Sequence, residues 1–144
     1  ELAWRVGQAK AAKLQLAVEP HVGSLIDTPE RALDLVKRVS GLGFTLDYAH
    51  FTRAGIADAR IEPLTPFATH LHARTARRGR LQCPMKENTI DFPSALAALK
   101  RNRFTGWMAL EYVWIDWEHC NEVDIISESI QMKKLLETAA VKMK

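Results

Sequence analysis

Four short apolar runs punctuate this chain: LQLAV (residues 14–18), FTL (44–46), FATHLH (67–72) and WMALEY (107–112). Each ends at or beside a side chain that can bind a cation, in order Glu19, Asp47, His72 and Glu111. Helix-patterned stretches lie between them. A helix end is predicted over Leu2 to Lys13. Thr28-Pro29-Glu30 places a capping hydroxyl before a proline at the first helical position, and Ala32, Leu33, Leu35, Val36 and Val39 follow at helical spacing until Gly41 and Gly43 end the element. The polar, proline-containing stretch Thr52 to Pro66 reads as a connection. FPSALAALKRNR reads as a helix that yields at Gly106 to the fourth strand, and a last helix is predicted from about Ile125 to Lys142. Strands alternating with helices make parallel strands with crossover helices, an α/β fold. No low-complexity segment or linker divides the chain, so residues 1–144 read as a single domain.

In a parallel sheet all the strand C-termini lie at one edge, where ligands of such folds bind. Glu19, Asp47, His72 and Glu111 would therefore converge. Three carboxylates held together repel one another unless a cation sits among them, and with an imidazole they suit Mn²⁺, Mg²⁺, Co²⁺ or Zn²⁺. A single acid at a strand end is more often a solvated loop residue or a helix cap. Four in step favour the metal. His50, nearly one helical turn past Asp47, is expected to reach beyond the metal to its ligand. His70 and His72 are expected on opposite faces of their strand, only one of them toward the metal, and His21 and His119 read more weakly as loop histidines.

Composition narrows the alternatives. With 20 Lys+Arg against 17 Asp+Glu the net charge is only +3, and the basic residues cluster only at Arg74, Arg77, Arg78 and Arg80, so nucleic acid is not the expected partner. Cys83 and Cys120 fit no zinc-ribbon spacing and read as reduced thiols of a cytoplasmic protein. No apolar run approaches the roughly 20 residues of a membrane span. The arginine-rich loop directly after His72 begins on the ligand-binding edge, which favours delivery of one arginine to the site. Trp107 is expected to be packed, and Trp114 or Trp117 to wall a ligand.

Taken together, LAVEPHVGS, TLDYAHF, THLHARTARRGRLQ, TIDFPSALAALKRNRFTGWMALEYV and NEVDIISES make the chain resemble the sugar phosphate isomerase/epimerase family, which are xylose isomerase-like TIM barrels. The resemblance runs from about Leu14 onward and implies the C-terminal half of a (β/α)8 barrel, about four βα units, with an N-terminal half missing; a start on Glu1 within a helical pattern agrees. It implies a divalent metal, Mn²⁺ first, held by Glu19, Asp47, His72 and Glu111. It also implies that Glu19 and Glu111 act as acid and base, and that His50, Arg78 and, with less support, His21 contact substrate. The implied reaction is isomerisation or epimerisation of a sugar, sugar phosphate or related polyol by proton transfer through a metal-stabilised enediolate. A dehydratase of an inosose or a 3-dehydroshikimate-like substrate begins with the same proton abstraction and stands as the alternative. Endonuclease IV, a distant relative, needs an Asp-x-His pair after the strand of the metal His; the acid there is Asp91, followed by Phe92 and Pro93, which argues against DNA repair. A half barrel leaves strand edges and core uncovered, so a homo-oligomer, a complementary half or a non-catalytic binding fragment is also expected.

Overall fold

The computed structural model describes residues 1–142. Helix α1 (Leu2–Ala11) leads into β1 (Ala17–Val18), then α2 (Pro29–Arg38), β2 (Gly43–Asp47), α3 (Tyr48–Arg53), α4 (Asp58–Ile61), β3 (Ala68–Ala73), α5 (Phe92–Arg101), β4 (Trp107–Leu110) and α6 (Ile125–Lys142). The strands form one parallel sheet in the order β1-β2-β3-β4. Sequence order equals spatial order, as in a barrel wall wound one βα unit at a time. No helix among the described residues is long and apolar enough to cross a membrane.

Local chemistry explains the boundaries. The Thr28 side chain accepts from the Arg31 N–H at 3.4 Å with Pro29 at the first helical position, so α2 starts where the sequence predicts. Asp91 caps α5 in the same way through the Ser94 N–H, again with a proline in the first turn. Gly41 turns the chain out of α2 at φ +85°, a region an L side chain rarely enters. The first strand is shorter than LQLAV promises: only Ala17 and Val18 pair with β2, and Leu14 is 68% exposed. An edge strand with one neighbour keeps only the residues that neighbour can bond. The stretch read as a plain connection, 52–66, instead holds the end of α3, the whole of α4 and a 3-10 turn at Glu62–Phe67.

Alternation sorts the two faces of the sheet. Phe44 and Leu46 on β2, with Leu71 and Ala73 on β3, are at most 1% exposed and belong to the core with Ala32 and Val36 of α2, Leu96 and Leu99 of α5 and Met132 and Leu136 of α6. The intervening residues, Thr45, Asp47, His70, His72, Trp107, Ala109 and Glu111, share the opposite face. There the expectation of a packed Trp107 fails. It is 82% exposed, because β4 is an edge strand and no further strand covers that face among the described residues. At the base of β4, Gly106 comes so near β3 that a Cβ would lie 1.9 Å from the Thr69 carbonyl oxygen.

Candidate metal centre

Each ligand candidate owes its place to the strand before it. Asp47 ends β2 opposite His72 on β3, and the Glu111 N–H donates to the Ala73 carbonyl at 3.1 Å, continuing the ladder just beyond β4. Glu19 follows β1. As a result Glu19, Asp47, His72 and Glu111 each offer a ligand atom, and these atoms all lie within 4.8 Å of one another. His72 is central: its Nδ1 lies 3.1 Å from Glu19 Oε1 and 3.1 Å from Glu111 Oε1.

The Asp47 carboxylate has two tasks, which joins the helix-cap reading to the ligand reading. Its Oδ1 accepts the Ala49 N–H at 2.8 Å and so starts α3 immediately after the strand. That first turn carries His50 back over the cluster, with Nε2 at 3.7 Å from Asp47 Oδ2 and 3.6 Å from Glu19 Oε1. His50 is only 2% exposed, and its Nδ1 is buried without a hydrogen-bond partner. His21 is exposed, and its ring lies against that of His50 with centroids 3.8 Å apart.

Two expectations change here. His70 and His72 share a face, with rings 5.2 Å apart, because side chains two apart on a strand point the same way. The arginine brought among the ligand candidates is Arg74, whereas the arginine expected at the substrate, Arg78, lies outside the cluster. Arg78 is exposed and lies along Gly55, lining a pocket with Thr52, Ile56 and Asp58. Arg74 is 2% exposed; its Nη2 donates to Asp47 Oδ2 at 2.6 Å, lies 3.1 Å from His50 Nε2, and forms an ion pair with Glu111 Oε2 at 3.0 Å. The signal was in the sequence: Arg74 stands two residues after His72 and so shares its face.

The electrostatics of the cluster follow from this crowding. The hydrogen bonds of Glu111 and Glu19 pull the His72 imidazole up to about 10, against the effect of burial. Burial would raise both glutamates, but the imidazoles of His50 and His72 hold Glu19 well below the usual carboxylate range, and His72 and Arg74 hold Glu111 down. Burial pushes Asp47 up, opposed by Arg74, His50 and the Ala49 N–H. A proton between two carboxylates is the arrangement that a divalent ion replaces, since metal ligation requires neutral imidazole and ionised carboxylate. Three hard oxygen donors and one nitrogen suit Mn²⁺ or Mg²⁺ and tolerate Co²⁺ or Zn²⁺.

Beside the cluster, the loop after β4 is tied down by neighbours. The Gln82 side chain accepts the Val113 N–H at 2.9 Å and donates to the carbonyls of Val113 at 3.2 Å and Cys120 at 2.9 Å. Arg53 grips Glu118 with two bonds of 2.7 and 2.9 Å. Trp114 and Trp117 on that loop are 70% and 82% exposed.

A parallel βα wall carrying this constellation on its C-terminal edge is a TIM-barrel feature, and the chain belongs to the xylose isomerase-like TIM barrel family, whose model matches residues 3–136. Among solved structures it is similar to L-ribulose 3-epimerase (18% identity, TM-score 0.73), covering 99% of this chain and 54% of that one. It is similar to a xylose isomerase-like TIM barrel protein from Mycobacterium smegmatis in complex with magnesium (16% identity, TM-score 0.70, 96% and 49% covered). It also resembles the probable 3-DHS dehydratase AsbF of Bacillus anthracis (15% identity, TM-score 0.65, 89% and 52% covered). At such identities the likeness establishes the fold. The chain spans about half the length of these structures, and no curated protein matches it by sequence.

Proposed function

We propose that this chain supplies the metal-binding and proton-transferring half of a sugar isomerase or epimerase barrel. The observation that carries the reading is His72 held between two glutamates whose carboxylates are kept ionised, with Asp47 completing a four-residue donor set. A divalent ion held by Glu19, Asp47, His72 and Glu111 supplies Lewis-acid polarisation of a substrate carbonyl, which makes the neighbouring C–H acidic enough to lose its proton. Glu19 and Glu111 are the bases. Either carboxylate can take the proton from carbon and either can return it; return to the other face of the carbon gives the epimer. His50 has a buried Nδ1 without a partner, and a substrate hydroxyl reaching that depth would satisfy it. His21, stacked on His50, borders the same space, and Arg78 joins the substrate contacts only if its loop folds inward from its exposed position.

The remaining pocket walls would come from further strands, either an N-terminal half barrel or a second copy, placed against β1, β4 and the exposed face of Trp107. The deciding experiment incubates the chain and Mn²⁺ with a panel of ketopentoses and ketohexoses in D₂O. Deuterium appearing at carbon next to the carbonyl, seen by NMR and lost in Glu19→Gln and Glu111→Gln, supports the reading. The dehydratase reading, favoured by the likeness to the AsbF dehydratase, would show instead as loss of water and a new ultraviolet-absorbing conjugated carbonyl from a cyclic keto acid. Neither signal from a chain that binds Mn²⁺ leaves a binding fragment.

A further inference from the structure

Resting on the reading of Glu19, Asp47, His72 and Glu111 as a metal site, we propose that Arg74 is a positioning residue that shapes the site and stays beside it when the ion is bound. The placement follows from topology. β3 is paired to β2 on one side and β4 on the other, so a side chain leaving the end of β3 on the ligand face can reach the strand-end carboxylates of both neighbours. Arg74 does this: its Nη2 is 2.6 Å from Asp47 Oδ2 and 3.0 Å from Glu111 Oε2, on a side chain that is 3% exposed.

The oxygen it takes from Glu111 is Oε2, whereas the oxygen facing His72 is Oε1, so the arginine fixes this carboxylate without covering its ligating atom. On Asp47, Oδ1 serves the Ala49 N–H and Oδ2 serves Arg74, and each oxygen keeps a second lone pair. Both carboxylates are thereby locked in orientation before any ion arrives. Charge points the same way. Three carboxylates, a divalent cation and one guanidinium sum to zero, whereas the same partly buried group without Arg74 keeps an uncompensated negative charge beside the buried Asp47. Every one of these contacts leaves from the one Nη2, at the end of a planar guanidinium whose Nε is buried without a partner, and the ammonium of a lysine reproduces the charge but ends on a flexible stem that does not hold its nitrogen at that point. A guanidinium that instead stood in for the ion would compete with it, and the two roles predict opposite effects of removal.

The test is Mn²⁺ binding by titration calorimetry, with the Mn²⁺ electron paramagnetic resonance line shape as a readout of ligand geometry. The parent chain, Arg74→Met, Arg74→Lys and a surface control, Arg60→Met, are compared. Arg74→Met is expected to weaken Mn²⁺ at least about tenfold, the lower end of losses seen when outer partners of metal ligands are removed, and to alter the line shape. Arg74→Lys should weaken it less, and Arg60→Met should match the parent. Unchanged or tighter binding in Arg74→Met overturns the proposal. If circular dichroism shows that Arg74→Met does not fold, Arg74→Lys decides: weaker binding with an altered line shape sustains the proposal, and binding equal to the parent overturns it. A folded parent chain that takes up no Mn²⁺ overturns the metal reading and this inference together, whereas uptake indifferent to Arg74 overturns the inference alone.

Discussion

Nδ1 of His72 and Oε1 of Glu19, 53 positions apart in the chain, lie 3.1 Å apart, and the geometry makes metal uptake a proton-releasing event. Glu111 and Glu19 raise His72 from 6.5 to about 10, so near neutral pH the metal-free imidazole is protonated. Binding of Mn²⁺ must expel that proton. Calorimetry at pH 7 in buffers of different ionisation enthalpy should report about one proton released per ion and an affinity that rises with pH. Heats independent of buffer would contradict the cluster.

The same shift sets the stability of the metal-free chain. A folded value above the unfolded one means that the stabilisation is fully present below pH 6.5 and is lost as pH climbs through about 10. Glu19 and Glu111 have the opposite sign: their contribution is present above pH 4.5 and is lost as pH falls toward their lowered values. Thermal melts in chelator should therefore give a maximum near pH 5–6 and decline toward pH 10, and saturating Mn²⁺ should flatten the alkaline limb.

Replacing Gly106 tests the closeness of β3 and β4. A Cβ there would meet backbone, the Thr69 oxygen at 1.9 Å, and backbone cannot swing aside. Gly106→Ala should destabilise by about 3 kcal/mol or more, the upper range for overpacking, in urea unfolding. A cost under about 1 kcal/mol would mean that the strands separate easily.

Gln82 is the clamp of the loop after β4. Gln82→Ala orphans the part-buried Val113 N–H and removes the donor to the Val113 carbonyl and to the buried Cys120 carbonyl, and should cost about 1–3 kcal/mol, the range for a buried polar group left without a partner. Amide hydrogen exchange should quicken first at Val113.

Association is expected to run through the outer edge of β4. Trp107 at 82%, Met108 at 43% and Leu110 at 37% exposure leave an apolar strand whose outer edge pairs with no strand among the described residues. Such an edge recruits another chain. Sedimentation of the chain alone should show species larger than a monomer, reduced in Trp107→Lys; a clean monomer at high concentration would contradict the need for a complementary surface.

How far the sequence reached can be judged residue by residue. Thr28-Pro29 marked the start of α2, the glycines marked its end, and the alternation of apolar runs with helical patterns gave the order of the parallel sheet. These are local signals, fixed by capping chemistry and by the two periods of side-chain direction. The step of Glu19, Asp47, His72 and Glu111 at successive strand ends was legible because parallel strands deliver their C-termini to one edge. Three features were not. The helices within 52–66 lack a long periodic pattern. Trp107 reads as a core residue by type, and it is exposed because no further strand lies beside β4 among the described residues. The entry of Arg74 into the cluster depends on β3 lying between β2 and β4, so that one side chain reaches two carboxylates from different strands. Sequence determined which groups arrive at the edge, because that depends on strand order and local period; tertiary structure alone decided which of them touch, because contact depends on which strands are neighbours.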